Sequence, residues 1–246
     1  MKFPLSLLLL AGCAAPAFVV THAADDAAAA RDVESRLLAA RPLVEAAVGV
    51  PLRVPVTVTV APTRAAFDAT FPPEWGVPGT ECWMVAWGVA DRMALLSPRA
   101  WAAEACEHDA ADEGHVRRLL AHELVHVLHG QNNGHPDFTG LDDIGWFAEG
   151  LATLASGQMA QEHAGRAREA LQSGRGPRDL ASAWSGSARY GVCGSLVQFW
   201  CERAREGALR RALGATSNAE LLGAVGMDEM EFLGAWSAWV ADGGGQ

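Results

Sequence analysis

The rhythm of apolar and polar positions changes twice along the chain. Residues 5–20 are broadly apolar, follow Lys2, and stop at Thr21-His22-Ala23-Ala24 and the pair Asp25-Asp26. Residues 25–49, rich in Ala, Leu, Glu and Arg, predict a helix closed by Pro51. The alternation of Val with Pro or Thr over 54–60 predicts a strand, followed by a short helix around 63–70. Pro72, Pro73, Gly76, Pro78 and Gly79 mark an irregular stretch, and 84–90 and 93–97 predict two strands turning near Asp91. The period then becomes helical. Residues 116–129 predict a helix with Gly130 as its C-cap glycine, and 131–143 a loop. Further helices are expected over 144–156, 159–171, 180–187, 194–205 and 227–240. Strands first and helices afterwards predict an α+β fold, a small mixed or antiparallel N-terminal sheet followed by a helical region. The expected organisation is an N-terminal helix over 24–50 and one domain over 51–242, with strands in 51–98 and helices in 100–242. No repeat or linker divides it.

The opening run has the layout of an export leader covering residues 1–23, with removal after Ala23. Leu10-Ala11-Gly12-Cys13 also fits the lipobox of bacterial lipoproteins, which would leave a lipid on Cys13 and tie the protein to a membrane. Either way the destination is the periplasm or the extracellular space. No other stretch is long and apolar enough to span a bilayer. The chain has 246 residues, half of them hydrophobic, enough for one sizeable core. A net charge of −10 argues against nucleic acid as a partner, since phosphate binding needs a basic face. Cys82, Cys106, Cys193 and Cys201 follow the leader. An even number in an exported chain points to disulfides, with three possible pairings. If Cys193 and Cys201 share one helix they lie ~12 Å apart and cannot bond, so either Cys193 precedes the helix or each pairs elsewhere.

The chemistry concentrates in His122-Glu123-Leu124-Val125-His126. On a helix, positions i and i+4 share a face, so both imidazoles can reach one ion, and Glu123 projects beside it as a base for a metal-held water. Leu119, Leu120, Leu124, Val125, Val127 and Leu128 make this helix a buried one, so its polar groups need partners. A third ligand is required. Glu149 is a lone carboxylate in the apolar run Gly145-Trp146-Phe147-Ala148-Glu149-Gly150-Leu151-Ala152, a costly placement unless it binds metal or pairs with Arg117 or Arg118. His129, Asp142 and Asp143 are weaker candidates, and His108, His115, His135 and His163 are expected at the surface or behind the ligands.

HELVH followed by WFAEGLA resembles the gluzincin metallopeptidases, in particular the bacterial peptidase MA-like group. Trp87-Gly88-Val89-Ala90 resembles that group's substrate-side hairpin, Ala188-Arg189-Tyr190-Gly191 its segment leading into a helix, and 227–240, with Glu231 and Trp236, its C-terminal helix. The likeness spans about residues 50–240. It implies a zincin-like fold, one Zn²⁺ per chain held by His122, His126 and Glu149, and peptidase activity. Thermolysin-like relatives often carry an acidic residue four positions after the third ligand to orient a histidine; here that position is Thr153.

The expected reaction is hydrolysis of peptide bonds by a zinc-activated water, with Glu123 as general base and then proton donor to the leaving amine. Tyr190, the one tyrosine in the chain, is the candidate donor to the oxyanion, with Arg189 as its neighbouring alternative. Residues 84–90 are a candidate edge strand for pairing with an extended peptide. Trp75, Trp83, Trp87 and Trp146 belong either to a cleft or to the core. The expected partner is a peptide or protein substrate, and the expected state a monomer. The rival readings are a zinc-binding scaffold without turnover, a non-peptidase zinc hydrolase, and a structural exported domain without metal.

Overall fold

The computed structural model of the chain describes residues 17–245. Lys2, Cys13 and the rest of 1–16 lie outside the described residues. Four strands, β1 (Phe18–His22), β2 (Val56–Ala61), β3 (Ala86–Val89) and β4 (Arg92–Leu96), form one sheet in the order β1-β2-β4-β3. β2 runs parallel to both β1 and β4, and β3 is antiparallel to β4, its hairpin partner. The helices are α1 (Ala27–Val48), α2 (Arg64–Asp68), α3 (Trp101–Glu104), α4 (Glu113–Gly130), α5 (Gly145–Ala155), α6 (Gln158–Glu162), α7 (Arg166–Gln172), α8 (Leu180–Ala183), α9 (Arg189–Arg203), α10 (Ala208–Ala212), α11 (Asn218–Gly223) and α12 (Glu229–Ala241). A four-stranded mixed sheet followed by a long helical region is an α+β, zincin-like arrangement.

The N-terminal stretch contributes a strand and a crossover helix to the sheet. The stretch 18–22, assigned above to the leader, is an edge strand in register with β2 from Phe18 opposite Val56 to His22 opposite Val60, and Phe18 is buried. The same apolar run satisfies a leader's core and a strand, so composition alone does not separate the two. α1 is the crossover between β1 and β2. It buries Val33, Leu37, Val44 and Val48 against the sheet and α4 and so shares the core of the rest of the chain. The helix ends at Gly49, whose left-handed φ of 81° caps it before Pro51 is reached.

α4 is the central helix. Every residue from Leu119 to Gly130 is buried, with β3, α1 and α5 packed around it. It runs through Gly130 and is capped at Gln131. A Cβ on Gly130 would lie 2.4 Å from the Pro136 carbonyl oxygen and 2.7 Å from the Ala90 nitrogen. Close approach of two loops, not the helix end, therefore requires glycine there. α5 packs on α9 so tightly that a Cβ on Gly150 would lie 2.3 Å from the Cys193 carbonyl oxygen. The expected single helix over 159–171 is two, α6 and α7, broken at Gly165 with φ 75°.

Trp101, Trp146, Trp200 and Trp236 are fully buried. Each indole N–H finds an acceptor: Leu96 O, Asn218 Oδ1, Leu221 O and Ser195 Oγ respectively, as buried indoles require. Cys82 and Cys106 form a disulfide with Cα atoms 5.2 Å apart. Cys193 and Cys201 both lie on α9 and are free thiols, so one pair forms where sequence counting allowed two.

Candidate metal centre

α4 is capped at its start by Asp112, whose carboxylate accepts the His115 backbone N–H, and about three turns later it presents His122 and His126 on one face. α5 crosses beside it and supplies Glu149. His122 Nε2 and His126 Nε2 are 3.1 Å apart. Glu149 Oε2 is 3.4 Å from the first and 3.6 Å from the second. Ligands at about 2.0–2.1 Å in a tetrahedron around one ion are separated by about 3.3 Å. The three atoms thus stand at the spacing that such an ion requires, and the cluster can coordinate a metal. Among the described residues it is the one group of three His, Cys, Asp or Glu side chains so placed.

The electrostatics agree with a cation site. Burial raises the Glu149 carboxyl, but His126 and His122 outweigh it and hold the group well below the usual carboxylate range. His122 Nδ1–H donates to Gln158 Oε1 at 2.7 Å, which leaves the Nε2 lone pair pointing to the centre. Thermolysin-like proteins often draw this support from an acidic residue at the position of Thr153, which leaves Asp142, Asp143 or a backbone carbonyl as the substitutes the sequence offers. Thr153 instead donates to the Glu149 backbone carbonyl, and both aspartates are exposed. The supporting group is Gln158, nine residues beyond Glu149 at the start of α6. A buried glutamine was its signal, and burial is not readable from spacing.

Glu123 is 7 % exposed and lies outside the ligand triad. A Cβ on Gly88 would sit 2.6 Å from the Glu123 backbone oxygen, so β3 presses directly on α4 at this residue. Burial pushes the Glu123 carboxyl up to about 7, His122 opposing and Glu149 adding to the rise. Without metal, the folded state therefore keeps a proton up to about pH 7 that the unfolded chain releases near its ordinary 4.5. Stability is lost as pH climbs through that window. Glu123→Gln removes the loss. In chelator-treated protein, the variant is expected to exceed the native chain by ~1–3 kcal/mol at pH 8 and to match it near pH 4. Denaturant titration at the two pH values measures this; an equal difference at both would refute it.

Tyr190, at the start of α9, joins the same site. Its ring centroid is 5.9 Å from that of His122, it stacks on His163 at 5.3 Å, and it meets Trp184 edge-on at 4.8 Å. Burial, with Glu149 and Glu123 nearby, raises its phenol far above the ordinary value, so the hydroxyl is a neutral donor throughout the working range. Arg189 hydrogen-bonds Tyr190 and lies against Trp83, Trp184 and Tyr190.

The other candidates are elsewhere. His129 is fully buried between Phe138 and Phe147, and burial pushes its imidazole down to about 3, so it is neutral near pH 7. His135 is exposed. His108 and His115 contact each other at 2.8 Å and continue to Glu162 and Arg118. Trp146 is core, while Trp75 and Trp87 cluster with Phe71 beside β3. Compared with protein families, curated proteins and solved structures, the chain matches none.

Proposed function

We propose that the protein is a zinc peptidase of the gluzincin type, holding one Zn²⁺ through His122, His126 and Glu149. The observation that carries this reading is the trio of ligand separations, 3.1, 3.4 and 3.6 Å, with a buried non-ligand carboxylate one residue from the first histidine. A pure storage site has no use for Glu123. Two imidazoles and a carboxylate suit zinc and leave a fourth position open. Zinc held by these three residues would supply Lewis acidity towards a water and a substrate carbonyl. Glu123 takes the proton of the attacking water and passes it to the leaving amine. Tyr190 donates its hydrogen bond to the oxygen on which charge develops. β3 is an edge strand seated on α4 at Glu123, and its free edge offers main-chain pairing to an extended peptide.

The test is zinc stoichiometry on purified protein, together with hydrolysis of a mixed peptide library read by mass spectrometry. One zinc per chain, and cleavage lost to a chelator and restored by zinc, is the expected result. No zinc at micromolar free metal would end the reading. Zinc without cleavage would leave a binding protein or a hydrolase of another bond.

We also propose export, with the leader removed upstream of Phe18. Removal after Ala23 would strip β1 from the sheet and expose β2, which is buried at Val56, Val58 and Val60. Leu10-Ala11-Gly12-Cys13 supplies a processing site that spares β1 and would anchor the chain by lipid on Cys13. No helix among the described residues is long and apolar enough to cross a membrane. Intact mass of the protein from a bacterial host is expected to show a chain starting at Cys13 with attached acyl groups. A chain starting at Ala24 would refute this.

A further inference from the structure

Two half-buried arginines, Arg64 and Arg189, contact the segment 80–84, and they are served very differently. Arg64 is well served: its two terminal nitrogens donate to Thr80 Oγ1 and to the carbonyls of Met84, Cys82 and Glu104. Arg189 is not. Its Nε is buried without an acceptor, and among the described residues no carboxylate lies within ion-pair distance of it. What surrounds it is aromatic. Its guanidinium carbon lies 4.7 Å from the Trp83 ring centroid, 5.1 Å from Trp184 and 5.2 Å from Tyr190. Ring faces hold a cation in place and shed its water, but they accept no in-plane N–H, so beyond its bond to Tyr190 the guanidinium keeps donors to spare. A desolvated, unpaired charge is costly unless something completes it.

The cage is built to be rigid. Trp83 follows Cys82, which is bonded to Cys106. The Trp83 carbonyl accepts from His108 Nε2 at 2.7 Å, and His108 continues through His115 and Glu162 to Arg118 of α4, the metal helix. Tyr190 is the common neighbour of the guanidinium and of His122. These contacts put Arg189 within roughly 11 Å of the His122 ring, about three residues of extended peptide at ~3.4 Å each.

We propose that Arg189 is a substrate anchor: it binds a carboxylate of the peptide, within about three residues of the scissile bond, and so selects substrates for the metal centre. A planar guanidinium with its faces stacked presents its N–H fork edge-on, the geometry that a carboxylate matches with two hydrogen bonds. The carboxylate is either the C-terminal one, which would make the enzyme a carboxypeptidase releasing short C-terminal fragments, or the side chain of an Asp or Glu. The inference rests on the peptidase reading for its consequence but not for its binding site.

The experiment uses zinc-loaded Glu123→Gln protein and calorimetry with three forms of one peptide: free C-terminal acid, C-terminal amide, and the amide with an internal glutamate. The free acid or the glutamate form is expected to bind about 10-fold or more tightly than the plain amide, and which one does identifies the source. Adding Arg189→Met should abolish the preference, and Arg189→Lys should restore part of it. Equal affinities for all three forms, no measurable binding, or a preference that survives Arg189→Met would overturn the proposal. Hydrolysis by the native protein separates the two readings. If acid and amide forms are cleaved equally, the peptidase stands and the anchor falls. If nothing is cleaved while Arg189-dependent carboxylate binding persists, the anchor stands and the peptidase falls.

Discussion

Glu149→Ala is expected to weaken zinc binding by more than ~100-fold, while Gln158→Leu weakens it by only ~10–100-fold, the range for a partner that acts through a ligand. The difference follows from position. Glu149 Oε2 is one corner of the triad, 3.4 and 3.6 Å from the two imidazole nitrogens. Removing it takes away a coordinating atom and the only negative charge among the three ligands. Gln158 touches no other ligand; it accepts from His122 Nδ1 and fixes which nitrogen faces the centre. Its loss lets the imidazole turn or change tautomer but leaves all three donors present. Competition against a chromophoric chelator measures both affinities, and circular dichroism of the metal-free variants checks that α4 and α5 remain formed. Equal losses in the two variants would mean that the carboxylate is a supporting group and that the third ligand lies elsewhere. An unchanged affinity in Glu149→Ala would remove it from the site.

Much of this centre was legible in the sequence, because both of its helices carry local signals. His122 and His126 stand one turn apart on a run of apolar positions, and Glu149 is a charge inside another such run. The strands of the hairpin and the helical second half were legible for the same reason: their periods of 2 and 3.6 are local. What escaped depends on contacts between segments far apart in the chain. β1 escaped because a leader and a strand share one composition, and its partner β2 lies beyond the whole of α1. Gln158 supports His122 from a helix that sequence periodicity had merged with its successor across Gly165. The Arg189 cage draws Trp83 from the loop after α2 and Trp184 from the segment after α8. No spacing rule joins those three positions. The free state of Cys193 and Cys201 was decided by α9 running through both, the geometry that forbids a bond between them.

Glu123→Gln is expected to lower kcat by ~10²–10⁴-fold with zinc content unchanged, the size of effect that a positioned general acid–base supplies. The substitution keeps the shape of the side chain and removes its ability to take a proton. Glu123 stands next to His122 in sequence but outside the ligand triad, so the amide should cost the metal nothing. Its surroundings favour proton transfer near neutrality. Burial lifts its carboxyl to about 7, and β3 closes over it with no room for even a Cβ at Gly88. A bound cation will draw that value down, so the proposed peptidase activity should fall on the acid side, where Glu123 becomes protonated, and Glu123→Gln should lack that limb in its residual rate. The paired readout, zinc by mass spectrometry and turnover across pH on one peptide, distinguishes three arrangements. Zinc retained with turnover lost assigns Glu123 to the chemistry. Zinc and turnover lost together would make it a ligand, with Glu149 displaced to a supporting role. Turnover retained with the acid limb intact would move the base to another group, and the nearest titratable side chain facing the site from α9 is Tyr190, whose phenol is held neutral by burial and the two glutamates beside it. That phenol can donate a hydrogen bond but cannot accept a proton near neutral pH, which is why the proposed reaction gives the base's part to Glu123.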